Sequence, residues 1–275
     1  MNTEAVVYGN NADLIAEVAK LYAAGNPKIA DLTYGKGVFW RKTPSLRVFG
    51  SDTVTQPKRP HDFRALPYAD GTFDIAVLDP PYIHSPGKHQ TDSRYQNAAT
   101  TKGMLWRDLR QQLYIPGMRE AMRIVKPAGG QVWVKCKDQV QSGMQRWCHA
   151  ELLHDALELG LHPRDLFILM AKSRTSNKRW SVQHHARKPH SFLWVFERPT
   201  AAQAKQINRE HLYSLQLCPF KTNQQAAPKN SGVSCTFQRR PLVLGSEHSV
   251  SASQKDDKAF LQRLAAVLSD YLEIH

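Results

Sequence analysis

Apolar positions fall into two rhythms along this chain. Leu14, Ile15, Val18, Leu21 and Tyr22 recur at helical spacing, with Asn10 or Asn11 placed to cap the start and Gly25 the end, so the pattern predicts an amphipathic helix over 11–24. Short apolar runs bounded by turn residues predict strands at Lys28–Thr33, Arg47–Ser51, Ile75–Leu78, Gln131–Cys136, Asp165–Met170 and Ser191–Phe196. Helical spacing returns at Leu105, Trp106, Leu109 and Leu113; Pro116 lies within or just beyond this helix, and Met118 to Val125 continues the pattern. A further helix is predicted over 145–159, with Trp147, Leu153, Ala156 and Leu157 as its apolar face. Strands alternating with helices predict an α/β domain over residues 1–198. Residues 199–257 are rich in Gln, Asn, Ser, Pro and Lys and read as a linker or loosely built extension. Phe260, Leu261, Leu264, Val267, Leu268, Tyr271 and Leu272 then define a terminal amphipathic helix over 258–273, which packs on the domain or meets a second protomer. A monomer or weak homodimer is the expectation.

Charge narrows the class of partner. Lys and Arg number 37 against 24 Asp and Glu, a formal charge of +13 with a sequence pI near 9.7, which favours a polyanion and above all nucleic acid. No apolar run approaches the ~20 residues that span a bilayer, and no basic-then-apolar signal opens the chain, so a soluble, cytoplasmic protein is expected and a membrane partner is not. Cys136, Cys148, Cys218 and Cys235 lack metal-type spacing and are sparse for a disulfide scaffold. His184, His185 and His190 have no acidic ligand nearby in sequence, and no metal is expected.

The sharpest chemical signal is the stretch FDIAVLDPPY, residues 73–82. An apolar run ending on Asp79, Pro80, Pro81 and Tyr82 reads as a buried strand whose last residues leave the sheet. The proline pair fixes the backbone and removes two donors, leaving an acid, a carbonyl and an aromatic ring at the mouth of the sheet. Upstream, Asp31, Leu32, Thr33, Tyr34, Gly35, Lys36 and Gly37 form a glycine turn between a strand and a helix, where backbone approaches a ligand closely. Asp52 ends the next strand, at the spacing where nucleotide-type folds hold ribose hydroxyls, and Asp62 and Phe63 follow.

In that order, glycine turn, acid, acid with aromatic, then Asp-Pro-Pro-Tyr, the chain resembles the Rossmann-like, S-adenosylmethionine-dependent DNA adenine methyltransferases over roughly residues 6–198, with the gamma arrangement of motifs. It departs at Leu32-Thr33-Tyr34, where many relatives carry a proline and a phenylalanine. The resemblance implies a mostly parallel central sheet with helices on both faces and an antiparallel last strand, and S-adenosylmethionine as cofactor. It implies that Asp31, Thr33, Tyr34, Gly35 and Gly37 line the methionine end, that Asp52 binds the ribose, and that Asp62 with Phe63 flanks the adenine. Asp79 and the Pro80 carbonyl would accept the amino hydrogens of a flipped base, held by the rigid Pro80-Pro81 pair, with Tyr82 stacking on it. The polar loop 83–103, with Lys88, Arg94 and Lys102, and the acid-free segment from Lys172 to Ser191, with Arg174, Lys178, Arg179, Trp180, Arg187 and Lys188, are the expected DNA contacts. Only 77 residues follow Arg198, fewer than a dedicated recognition domain needs, so a short or relaxed target sequence is expected. An RNA base methyltransferase acting on adenine or guanine amino groups, and a catalytically silent nucleic-acid-binding module, are the alternatives.

Overall fold

The computed structural model describes residues 2–53, 55–56, 58–81, 103–171 and 184–204. Its first strand, β1 (Val6–Gly9), leads into helix α1 (Asn11–Tyr22). Asn10 caps that helix, its Oδ1 accepting the Ala12 and Asp13 backbone N–H groups while Asp13 accepts the Asn10 N–H in return. β2 (Lys28–Asp31), a 3₁₀ turn (Val38–Trp40), β3 (Arg47–Gly50) and β4 (Ile75–Leu78) follow. The chain continues through α2 (Trp106–Leu109), a π-helical segment (Arg110–Tyr114) and α3 (Ile115–Ile124). β5 (Gln131–Cys136), the hairpin β6 (Gln139–Gln141) and β7 (Met144–Arg146), α4 (Cys148–Glu158), β8 (His162–Ala171) and β9 (His190–Glu197) complete it.

Seven strands form one sheet in the order β1-β8-β9-β5-β4-β2-β3. All neighbours pair in parallel except β9, which runs against both β5 and β8. This is the expected Rossmann-like architecture, down to the antiparallel last strand. Side-chain alternation sorts the core into two layers. Ile29, Ile75, Val77, Trp133, Leu193 and Val195 face α1 and Trp40. Ala30, Ala76, Leu78, Val132, Val134 and Phe196 face α2, α3 and α4. Helices therefore cover both faces, and every position of β4 is buried. No helix among the described residues is long and apolar enough to cross a membrane.

Three local details stand out. First, Pro116 lies within the helical run, one of the two placements that the sequence allowed. The helical turns run from Trp106 to Ile124 through the π segment, in which the Ile115 N–H reaches back to the Arg110 carbonyl. Proline cannot donate to the Gln112 carbonyl, which instead accepts from Arg64 Nη1 at 3.5 Å. Second, α4 starts at Cys148 and buries Cys148, Leu152, Asp155 and Ala156, while Trp147 stands exposed at its N-cap. The face turns because Arg110 forms an ion pair with Asp155 and draws that carboxylate inward. Third, β1 and the β6–β7 hairpin are additions to the predicted strands. The terminal helix expected over 258–273 lies outside the described residues.

Candidate active site

Four parallel strands, β3, β2, β4 and β5, end together on one edge of the sheet. Backbone hydrogen bonds knit the segments that leave them. Leu32 N–H donates to the Val77 carbonyl (2.9 Å), Ser51 N–H to the Asp31 carbonyl (2.9 Å) and Tyr34 N–H to the Ser51 carbonyl (3.1 Å). Thr33 Oγ1 accepts the Asp79 N–H at 2.8 Å, so the glycine turn is latched to the first residue of the Asp-Pro-Pro segment. The departure at Leu32-Thr33 thereby acquires a structural sense: a proline at 32 could not donate to Val77, and a phenylalanine at 33 could not accept from Asp79.

The glycine turn itself is left-handed where the sequence puts glycine. Gly35 has φ 51° and Gly37 φ 67°. Around Gly35 the space a side chain would fill is open, its nearest neighbour being the Thr33 carbonyl at 4.0 Å, and the Gly35 carbonyl accepts from Thr55 Oγ1 (2.7 Å) and Gln56 Nε2 (3.1 Å). At Gly37 a Cβ would lie 2.6 Å from the Tyr34 hydroxyl, so the ring closes on the turn. Such a cradle, with bare backbone on one side and open space beside it, fits an extended ligand laid against the strand ends.

Acids concentrate here. Asp31 is 2% exposed, and its two oxygens accept from Trp40 Nε1 (2.6 Å) and the Thr33 N–H (3.1 Å). Burial outweighs both donors and, with repulsion from Asp79 and Asp52, pushes its pKa up to about 7. Asp79 is raised as well, by burial, against the pull of Lys135. Its side chain is 19% exposed, while Oδ1 is itself buried and accepts no hydrogen bond among the described residues. Asp52 accepts the Thr55 N–H at 2.8 Å. Asp31, Asp52 and Asp79, gathered where the strands end, make this mouth a place for a cation or for hydrogen-bond donors.

Asp62 and Phe63 come close by another route. Phe63 and Leu78 both press on Gly117 of α3, where a Cβ would stand 3.1 Å from Phe63 Cδ2 and 2.9 Å from Leu78 Cδ2. The absence of a side chain at Gly117 lets Phe63 reach the strand that ends on Asp79. Asp62 is gripped by Arg64, whose guanidinium holds the carboxyl below the usual range. Pro80 is buried and Pro81 half-buried. Of the expected nucleic-acid contacts, Arg187 is exposed, and Lys188 is half-buried with its ammonium on the Ala186 carbonyl at 3.3 Å. Tyr82, Lys88, Arg94, Lys102, Lys172, Arg174, Lys178, Arg179 and Trp180 lie outside the described residues. The chain nevertheless leaves β4 at Pro81 and β8 at Ala171 on the same edge, because β8 runs parallel to β4.

Two residues of the site escaped the sequence reading. Trp40, from the 3₁₀ turn, supplies the indole donor to Asp31. Lys135, 1% exposed, extends the β4–β5 register by one step beyond Leu78 and Val134 and places its ammonium 3.8 Å from Asp79 Oδ1. A lysine inside an apolar strand run was the available signal. No cluster of three His, Cys, Asp or Glu able to hold a metal occurs among the described residues.

No family model and no curated protein matches the chain. Among solved structures, it is similar to an S-adenosylmethionine-dependent methyltransferase from Methanosarcina mazei (10% identity, 66% of this chain and 97% of that one, TM-score 0.42). It is also similar to a candidate DNA modification methylase from Thermus thermophilus, solved with S-adenosyl-L-methionine (17%, 54% and 59%, 0.33). A third similar structure is the 16S rRNA (adenine(1408)-N(1))-methyltransferase from Catenulisporales acidiphilia (13%, 68% and 94%, 0.37). The strand order and register, rather than these distant likenesses, identify the fold as Rossmann-like.

Proposed function

We propose that this chain transfers the methyl group of S-adenosylmethionine to the exocyclic amino group of adenine in DNA. The observation that carries the reading is Asp79. It is a carboxylate at the mouth of the buried strand β4, backed by Pro80 and Pro81, latched to the glycine turn by Thr33, with one oxygen that accepts no hydrogen bond among the described residues. An adenine amino group is a poor nucleophile because its lone pair is delocalised into the ring. Accepting its two hydrogens on Asp79 and on the Pro80 carbonyl favours a pyramidal nitrogen and stabilises the transition state more than the ground state. The rigid proline pair holds both acceptors in place before reaction. Tyr82 is assigned the stacking role on the base.

The bound cofactor supplies an electrophilic methyl carbon on a sulfonium. Asp31, Thr33, Tyr34, Gly35 and Gly37 are assigned its methionine end, Asp52 its ribose, and Asp62 with Phe63 its adenine. The acids gathered at the strand ends suit the positive charge of a sulfonium. Because the amino group inside a duplex is out of reach, the base is flipped at a cost of ~a few kcal/mol. Lys88, Arg94, Lys102, Lys172, Arg174, Lys178, Arg179, Arg187 and Lys188 are assigned the phosphates, in keeping with the formal charge of +13. The test is calorimetric titration with S-adenosylmethionine, then methyl transfer to unmethylated DNA and to RNA in parallel. Transfer to DNA is expected. Transfer confined to RNA would replace the substrate, and no transfer to either would leave a nucleic-acid-binding module.

A further inference from the structure

Lys135 stands in a strand whose neighbours Val132, Trp133, Val134 and Cys136 are all buried. An ammonium in such a place requires a compensating charge. Ile75, Val77 and, one step further, Asp79 face the same side of the sheet as Trp133 and Lys135, so the two ends of β4 and β5 set a cation beside an anion. The ion pair spans 3.8 Å, with side chains 2% and 19% exposed. Among the described residues, other titratable groups that act on the pair include Asp31, which Asp79 repels, Lys137, which burial and Lys135 lower, and the Cys136 thiol on the opposite face, which burial pushes up. Phe39 lies under the Lys135 ammonium at 6.0 Å from its ring centre, and the Tyr114 hydroxyl donates to the Lys135 carbonyl at 3.2 Å, fixing the strand end from the opposite face.

We propose that Lys135 is a positioning residue for methyl transfer: its ammonium keeps Asp79 an anion and orients it, so that the carboxylate can accept from the substrate amino group. The proposal rests on the role given to Asp79 above. During transfer the amino lone pair forms the N–C bond, the C–S bonding pair stays on sulfur, and the surplus amino proton leaves to water. Lys135 exchanges no proton with the substrate. Its effect is on the acceptor, because a protonated Asp79 would offer a donor to the nitrogen whose lone pair must attack. Burial already drives Asp79 toward that neutral form, and Lys135 opposes it.

The test uses the full chain with carboxyl-¹³C aspartate, the Asp79 signal being identified by its loss in Asp79→Asn. In Lys135→Met the Asp79 titration midpoint is expected to rise by about 1–3 pH units, and in Lys135→Arg to stay near the wild-type value. The acid limb of the methyl-transfer profile is expected to move with it, so that activity lost at neutral pH returns in alkali. An unchanged midpoint in folded Lys135→Met, or an activity loss equal at every pH, would overturn the proposal. If Lys135→Met is too unstable to titrate, Asp79→Asn/Lys135→Met decides: recovered stability upholds the pair, and a loss equal to the single variant's overturns it. The titration needs no substrate. A shifted midpoint in a protein that methylates nothing would refute the role of the site while leaving the ion pair standing.

Discussion

Asp31 offers the most direct physical test of the site, because burial sets it apart from an ordinary carboxyl. Its folded pKa of about 7 lies above the ordinary aspartate value of 3.8, so the folded state holds the proton more tightly than the unfolded chain. Between those two values the unfolded state has released the proton and the folded state retains it. Stability therefore falls as pH rises through the window and levels off above about 7, opposite to the usual salt-bridged aspartate. Each pH unit well inside the window costs about 1.4 kcal/mol, and because the folded group is half ionised at pH 7 the loss between pH 5 and 7 is about 2 kcal/mol. Asp31→Asn removes the titration. It also sets an amide NH₂ against one of the two N–H groups, from Trp40 and Thr33, that the carboxylate accepts, a constant cost of about 1–3 kcal/mol. The difference in unfolding free energy between wild type and Asp31→Asn, from urea titrations at half-unit pH steps, should thus shrink by about 2 kcal/mol from pH 5 to 7. His190, lowered by burial, titrates in both proteins and cancels. Asp62, Asp74 and Glu120 are lowered from their ordinary values and cancel as well. The Trp40 indole N–H resonance should follow the same midpoint and lose it in the variant. A stability difference flat to about 0.5 kcal/mol, or an indole midpoint near 4, would refute the reasoning.

Two other perturbations probe the frame around the site. A Cβ on Gly50 would overlap the Tyr34 ring, so Gly50→Ala should cost about 1–3 kcal/mol of stability and weaken S-adenosylmethionine binding by calorimetry; unchanged affinity would detach Tyr34 from the cofactor. Arg110→Met leaves Asp155 buried and unpaired, with an expected loss of about 3 kcal/mol in chemical denaturation that Arg110→Met/Asp155→Leu should largely recover.

What could be read from the chain alone was local. β4 and β5 announce themselves as apolar runs because parallel central strands bury both faces, and the glycine turn and Asp-Pro-Pro segment follow in chain order. β1 is four residues with Tyr8 exposed, too short and too mixed to carry a pattern. The β6–β7 hairpin has only Val140 and Met144 as large apolar residues, both exposed, so no stripe marks it; its Ser142-Gly143 turn, at φ 50° and 74°, was the available sign. α4 was misfaced because Asp155 is buried by Arg110, a partner 45 residues away. Lys135 and Trp40 were missed for the same reason. A buried polar group is placed by what it pairs with: strand register brings Lys135 to Asp79, and the 3₁₀ turn at Val38–Trp40 brings the Trp40 indole to Asp31.

The central claim is that Asp79 serves methyl transfer to an adenine amino group. Wild type and Asp79→Ala, both shown to be folded, are incubated with unmethylated DNA and isotopically methyl-labelled S-adenosylmethionine, and the DNA is digested to nucleosides for mass spectrometry. Wild type is expected to yield labelled N6-methyldeoxyadenosine, and Asp79→Ala none. Label on a cytosine ring carbon, or equal labelling by both proteins, would contradict that claim.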